Sequence, residues 1–226
     1  MSTDSTSEMR RPARGRRGRM DKKAKRNRLV DSLVARDDLS ESTEAAMRTV
    51  PRHLFVPEPY TERAYQDSPL PIGEGQTISA PHMVAIMTDL LTLEPGQRVL
   101  EIGTGCGYHA AVTAEVVGAS NVYTVEYHEA LANRARETLA AAGYGDVNVR
   151  VGDGRKGWPA HAPYDRSYLT CAGSDFPTPV VEQLETDGVI LGPLGNGTQV
   201  LVRARKRSDG SLVREQHSQV RFVPLK

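Results

Sequence analysis

Arg98-Val-Leu-Glu-Ile-Gly-Thr-Gly-Cys-Gly-Tyr108 decides how this chain is read. It is an apolar strand running into three glycines at alternate positions, Gly103, Gly105 and Gly107. A helix-like run follows, from Tyr108 to Val117. Glycine has no Cβ and tolerates positive φ, so a strand–glycine-turn–helix unit lets a ligand lie on bare backbone. Twenty-one residues past Gly105, a second strand, Asn121 to Val125, ends in Glu126. An acid there is placed to hydrogen-bond ribose hydroxyls. The spacing Glu101-x-Gly-x-Gly-x-Gly differs from the Gly-x-Gly-x-x-Gly of dinucleotide sites. It suits a nucleoside ligand without a pyrophosphate, and S-adenosylmethionine is the plainest case. A glycine-rich stretch is also a common plain turn; the flanking strand and helix, with Glu126 in register, favour the ligand.

Outward from this unit the pattern alternates. Strands are expected at 98–102, 121–125, 147–151 and 164–170, with helices at 108–117 and 129–142. Such alternation indicates an α/β, Rossmann-like fold with a mostly parallel sheet and helices on both faces. A helix from Phe176 to Leu184 follows, then strands at Gly188–Pro193, Val200–Arg207 and Val220–Pro224, the last pair antiparallel. Upstream, Leu29 to Val50 reads as helical, and a cap at Ser42-Thr-Glu44 would divide it in two. Residues 51–80 read as loop, with prolines at 51, 57, 59, 69 and 71. Pro81 to Leu91 has Met83, Ile86, Met87 and Leu90 at helical spacing. One domain is expected over 29–226, with N-terminal helices and a loop in 29–95 and the sheet core in 96–226.

The 226 residues are 38% apolar, enough for a core. No apolar run is long enough to span a membrane, and the N-terminus lacks the apolar region of a secretory signal. Cys106 and Cys171 make neither a disulfide framework nor a metal site. His53, His109, His128, His161 and His217 lack metal-ligand spacing and read as surface or packing residues. A cytoplasmic protein without a metal is expected. The net charge of +1 hides an asymmetry. Residues 1–28 carry eleven basic and three acidic residues, while the remainder carries eighteen and twenty-five. The basic arm 1–28 is nearly free of large apolar residues, so it is expected to be disordered. It reads as a solubilising extension or as an electrostatic arm for nucleic acid or the protein's own acidic body.

Further candidates fall at strand ends, where such sheets bind ligands. Asp153, in Gly152-Asp-Gly154, can accept from an adenine amino group or serve an ordinary Asp-Gly turn. Thr170-Cys-Ala-Gly173 leaves room for a substrate, and Cys171 reads best as a small core residue. In Gly75-Gln-Thr-Ile-Ser-Ala-Pro-His-Met83, Ser79 can cap the helix that Pro81 opens. That segment, Val99-Leu-Glu-Ile-Gly-Thr-Gly-x-Gly-Tyr108, Gly152-Asp-Gly-x-x-Gly-Trp-Pro-x-x-Ala-Pro-Tyr-Asp165 and Val220-Arg-Phe-Val-Pro-Leu225 together resemble the protein-L-isoaspartate O-methyltransferases. Val50-Pro-Arg-His-Leu-Phe-Val-Pro57 and Ala64-Tyr-x-Asp-x-Pro-Leu-Pro-Ile-Gly73 match as well. The resemblance runs from about Leu29 to Lys226, and the Thr-Ile-Ser segment is particular to this family.

The resemblance implies a methyltransferase fold with extra N-terminal helices and S-adenosylmethionine as donor. It implies an acceptor in the α-carboxylate of an L-isoaspartyl residue, in proteins and peptides damaged by deamidation or isomerisation. Ser79 would line the acceptor site. Glu101 belongs to the donor motif; Gly103, Thr104 and Gly105 would hold the methionine end, Glu126 with Tyr127 the ribose, and Asp153 with Gly154 the adenine. Thr77, Ile78 and His82 would close over the donor. Thr170, Val220 and Phe222 would border the acceptor groove. A carboxylate is already anionic at neutral pH, so no general base is needed, and none is evident. Thr186-Asp-Gly188 and the polar strand Asp165-Arg-Ser-Tyr-Leu-Thr-Cys171 depart from the family. With them stand two alternatives: methylation of ordinary aspartate in a dedicated peptide, or a non-catalytic cofactor binder with an RNA-binding arm.

Overall fold

The computed structural model describes residues 21–226. Most of the expected arm, residues 1–20, lies outside the described residues. The remainder of it, 21–28, is not disordered: Asp21 caps helix α1, which spans Lys22–Asp37. The Asp21 carboxylate accepts from the Ala24 N–H at 2.6 Å and caps it. Lys22 and Lys25 pair with Glu62 at 2.8 and 2.9 Å, and Leu29, Val30 and Leu33 anchor the helix in the core. Two of the arm's basic residues thus meet an acid on the body. Helix α2 covers Glu41–Thr49, so the expected division into two helices holds, but the cap is Ser40. Its hydroxyl accepts from the Thr43 N–H and donates to Asp89 at 2.6 Å.

Within the expected loop lies a hairpin, β1 (Leu70–Gly73) with β2 (Gln76–Ile78). Its turn residues, Glu74 and Gly75, have φ of +53° and +69°, as a tight two-residue hairpin requires. Helix α3 (Pro81–Leu90) opens on Pro81, with Ala80 at the N-cap and no side-chain cap. Ser79 is thus released from the capping role that its position suggested.

The main sheet holds β3 (Val99–Ile102), β4 (Val122–Glu126), β5 (Asn148–Val151), β6 (Tyr164–Leu169), β7 (Leu184–Leu194), β8 (Gln199–Lys206) and β9 (Leu212–Val220) in the order β5-β4-β3-β6-β7-β8-β9. β5 to β7 run parallel, and β8 and β9 antiparallel. Helices α4 (Tyr108–Val117), α5 (Glu129–Ala141) and the short α6 (Thr178–Glu182) complete the framework. β3 is buried on both faces. Val99, Tyr168 and Leu191 join the cluster with α1 to α5, while Leu100, Leu169 and Ile190 join the other with Val180 of α6. Strands buried on both faces read as apolar runs, which explains why β3 stood out in the sequence. The chain turns from β4 and β5 on one side of β3 to β6 on the other, and the crevice at that switch faces a ligand.

Two expectations fail at the carboxyl end. β8 pairs antiparallel with β7 on one side and, on the other, with β9, which the sequence did not show. The expected strand Val220–Pro224 is instead an extended strip. It lies beside Ala172, whose N–H donates to the Val223 carbonyl and whose carbonyl accepts from the Leu225 N–H, both at 2.8 Å. The polar character of β6 also has an explanation. Arg166 Nε donates to the Leu91 carbonyl and Arg203 Nε to the Leu90 carbonyl, each at 2.8 Å. Both arginines satisfy carbonyls at the end of α3. Arg166 pairs in register with Val99, at the opening of β3, away from the strand ends that face the crevice.

Candidate active site

β3 ends in the glycine loop, and each glycine answers a different need. Gly103 has φ of +98°, and a Cβ there would strike the Thr170 hydroxyl. That hydroxyl donates to the Gly103 carbonyl at 2.5 Å, so the loop and the end of β6 are locked together. Gly105, at φ +56°, gives its N–H to Glu126 Oε2 at 2.8 Å. The other oxygen of Glu126 takes the His128 N–H at 2.9 Å. This clamp fixes the acid at the end of β4 across the loop at the end of β3. A Cβ on Gly107 would come within 3.0 Å of Leu139, so this glycine serves the packing of α4 against α5.

Beneath the loop a hydroxyl chain runs from Thr104 to Thr124 (2.7 Å) and from Thr124 to Glu101 Oε2 (2.5 Å). Glu101 is fully buried, and among the described residues its Oε1 has no hydrogen-bond partner. Burial pushes its carboxyl up to about 8. His109, stacked on Tyr168 with ring centroids 4.4 Å apart, is held neutral by burial down to about 3. The Cys171 thiol is pushed up to about 12 by burial and donates weakly to the Ile102 carbonyl. It is a core thiol and not a nucleophile.

Above the loop a first cavity opens about 770 Å³ of space, part of it solvent. Glu101, Gly103, Thr104, Gly105, Glu126, Tyr127 and Gly154 line its floor and sides. Thr77, Ile78 and Ser79 close it from the hairpin side, and Val223 to Lys226 close it from the terminal strip. A second cavity lies against it, lined by residues that include Pro69, His82, Val220 and Phe222. Four residues line both: Thr77, Ser79, Thr170 and Val223. Ser79 therefore stands in the wall between two compartments, with the glycine loop in one of them.

Most residues expected from the sequence meet here, with two corrections. His82 faces the second cavity, not the first; its ring and its N–H both bond Asp67, at 2.8 and 2.9 Å. Burial alone would raise the Asp67 carboxyl, but the hydrogen bonds from His82 outweigh it and hold it below its usual range. Asp153 lines neither cavity: its carboxylate takes the Arg155 N–H and the Arg155 guanidinium, at 2.9 to 3.0 Å. Its neighbour Gly154 does reach the first cavity, and a Cβ there would overlap Ile102. Sequence reading missed Tyr108, His109, His128 and Lys226 in the lining, since no spacing rule points to them.

The Glu126 carboxylate, the buried Glu101 carboxyl that a nearby cation would favour in its ionised form, and a floor of bare backbone suit a cationic nucleoside. S-adenosylmethionine, with its sulfonium and ammonium, fits that description. Among the described residues no group of three or more His, Cys, Asp or Glu is placed to hold a metal ion. No helix among them is long and apolar enough to cross a membrane.

Residues 24–226 match the family model described as protein-L-isoaspartate(D-aspartate) O-methyltransferase. The chain belongs to this family. Relatives among the protein-L-isoaspartate O-methyltransferases are close. Protein-L-isoaspartate O-methyltransferase 2 of Archaeoglobus fulgidus is 53% identical, over 92% of this chain and 95% of its own. The enzyme of Methanothermobacter thermautotrophicus is 48% identical, over 88% and 94%. A solved protein-L-isoaspartate O-methyltransferase superposes with a TM-score of 0.81 at 30% identity, covering 88% of this chain and 65% of that one. A Plasmodium falciparum structure of the same class, in complex with S-adenosyl-L-homocysteine, shares the fold. Its TM-score is 0.76 at 24% identity, with 89% of this chain and 98% of that chain covered.

Proposed function

We propose that this chain transfers a methyl group from S-adenosylmethionine to the α-carboxylate of L-isoaspartyl residues in damaged proteins and peptides. One observation carries the reading: Ser79 stands in the wall shared by the glycine-floored cavity and the neighbouring cleft. The first compartment is assigned to the donor and the second to the acceptor. When bound, S-adenosylmethionine supplies a methyl group on a positively charged sulfur, open to attack by an anionic oxygen. Gly103, Thr104 and Gly105 would hold its methionine end, with Glu101 Oε1 free to take the ammonium. Glu126, already clamped by two N–H groups, would meet the ribose. Gly154 would border the adenine; Asp153 joins it only by releasing Arg155.

Ser79 would donate its hydroxyl to one oxygen of the acceptor carboxylate and orient the other toward the donor compartment. Its own nucleophilicity is not used. The acceptor arrives ionised, so no base is required. Alignment is then the main source of rate, worth roughly 7–11 kcal/mol where geometry is good. Thr77, Thr170 and Val223 would exclude water at the junction. The amide nitrogen of the following residue then attacks the ester carbonyl and methanol leaves, giving a succinimide whose hydrolysis partly restores the normal backbone. Both cysteines are free, which suits a cytoplasmic setting. Methylation of ordinary aspartate loses its support, because Arg166 serves the end of α3 and Cys171 is a core thiol.

The test is incubation with labelled S-adenosylmethionine and matched peptides containing isoaspartate, aspartate or neither. Label on the isoaspartyl peptide alone is the expected result. Label on the aspartyl peptide, or none, would refute the assignment.

A further inference from the structure

Arg52 is among the largest fully buried side chains of the described residues, and it makes no ion pair with a carboxylate among them. Its Nε donates to the Ala64 carbonyl at 2.9 Å and its Nη2 to the Ser79 carbonyl at 2.7 Å. The guanidinium lies 4.8 Å from the centroid of the Tyr108 ring, and Tyr108 lines the donor cavity at the head of α4. Nη1 has no partner. Burying a cation without a direct ion pair is costly, with Asp67 acting only at a distance, and an apolar residue of similar volume would pack there with less penalty. Burial also works against the charge of Arg52. What only the guanidinium gives is a rigid fork with donors to two carbonyls at once.

The Ser79 carbonyl lies just outside α3, because the first turn of that helix bonds back to Ala80: Met83 and Val84 both donate to its carbonyl. The segment between β2 and α3 is therefore held on its inner side by Arg52. Resting on the methyl-transfer reading above, we propose that Arg52 is a positioning residue. Its fork sets the Ser79 backbone, and through it the hydroxyl, at the wall between donor and acceptor. It touches neither substrate. Tyr108 packs against the same guanidinium, while the glycine loop is held independently, by Glu126 and Thr170.

The experiment compares wild type, Arg52→Lys and Arg52→Gln on an isoaspartyl peptide, each in the Ser79 and the Ser79→Ala background. Donor affinity is read by calorimetry and folding by thermal melting. Arg52→Lys keeps the charge but not the fork; Arg52→Gln keeps a donor but not the charge. In the Ser79 background kcat falls roughly 10- to 100-fold, the scale of a slight misplacement, while the donor Kd stays within about threefold. In the Ser79→Ala background the same substitutions change kcat by less than about twofold, since the group they position is gone. Equal losses in both backgrounds, or an unchanged kcat, would overturn the proposal. So would loss of donor binding in both variants, which would make Arg52 a general prop of the core. If wild type leaves the isoaspartyl peptide unlabelled while binding the donor, the functional reading itself fails, and that outcome is visible before any variant is made.

Discussion

Ser79 and Glu101 make opposite demands on their surroundings. Ser79 is expected to act through a single hydrogen bond to a charged acceptor, an interaction of about 1.5–3 kcal/mol. Ser79→Ala is therefore expected to lower kcat on isoaspartyl peptide by roughly 10- to 100-fold. Donor affinity, measured by calorimetry, should barely change, because the floor of the donor cavity is built from other residues. Glu101 is fixed by burial, and its pH signature follows. The carboxyl ionises near 4.5 in the unfolded chain and is raised to about 8 when folded. Its contribution to stability is therefore present below the unfolded value and lost as pH climbs toward 8. Glu101→Gln should raise the melting temperature relative to wild type at pH 9 and leave it nearly unchanged at pH 4, in the absence of donor. A larger gain at pH 4 would reverse the assigned shift. His109 acts on the other flank: held neutral to about 3, it costs stability as pH falls below its usual range near 6.5.

At the scale of elements, what the sequence showed depended on burial. β3 and β4 declared themselves because both faces are covered. Lack of such burial hid β9, whose residues Leu212–Val220 are mostly exposed and polar: it borrows its regularity from β8 and shows no apolar alternation. The hairpin escaped because Pro71 lies in β1 and prolines crowd the segment; outside a central sheet, the missing N–H costs little. The donor side of the site was legible, since glycine spacing and a strand-end acid are local signals. Arg52 was not: a buried cation is explained only by carbonyls 12 and 27 residues away. The cap of α2 was misplaced by two residues for a similar reason, as the bond from Ser40 to Asp89 spans 49 positions. Ser40→Ala removes that bond and the cap together, and should cost about 1–2 kcal/mol in denaturant unfolding. Ser42→Ala, at the site expected from sequence, should cost less.

At the scale of the whole molecule, the donor cavity gathers residues from the hairpin, α3, α4, the ends of β3, β4 and β6, and the terminal strip. A ligand bound there ties distant parts of the chain to one another. S-adenosylmethionine at 100 times its Kd should then stabilise the folded state by about 2.7 kcal/mol, seen as a rise in melting temperature that grows with ligand concentration. No shift at such concentrations would deny the cavity its assigned occupant.

Lys226 carries a practical corollary. Its side chain borders the donor cavity and its Nζ lies 3.1 Å from His128 Nε2. Anything fused beyond Lys226, an affinity tag or a fluorescent reporter included, would leave the body at the rim of that opening. A fusion at this position with weak donor binding reports on its own linker before it reports on the enzyme.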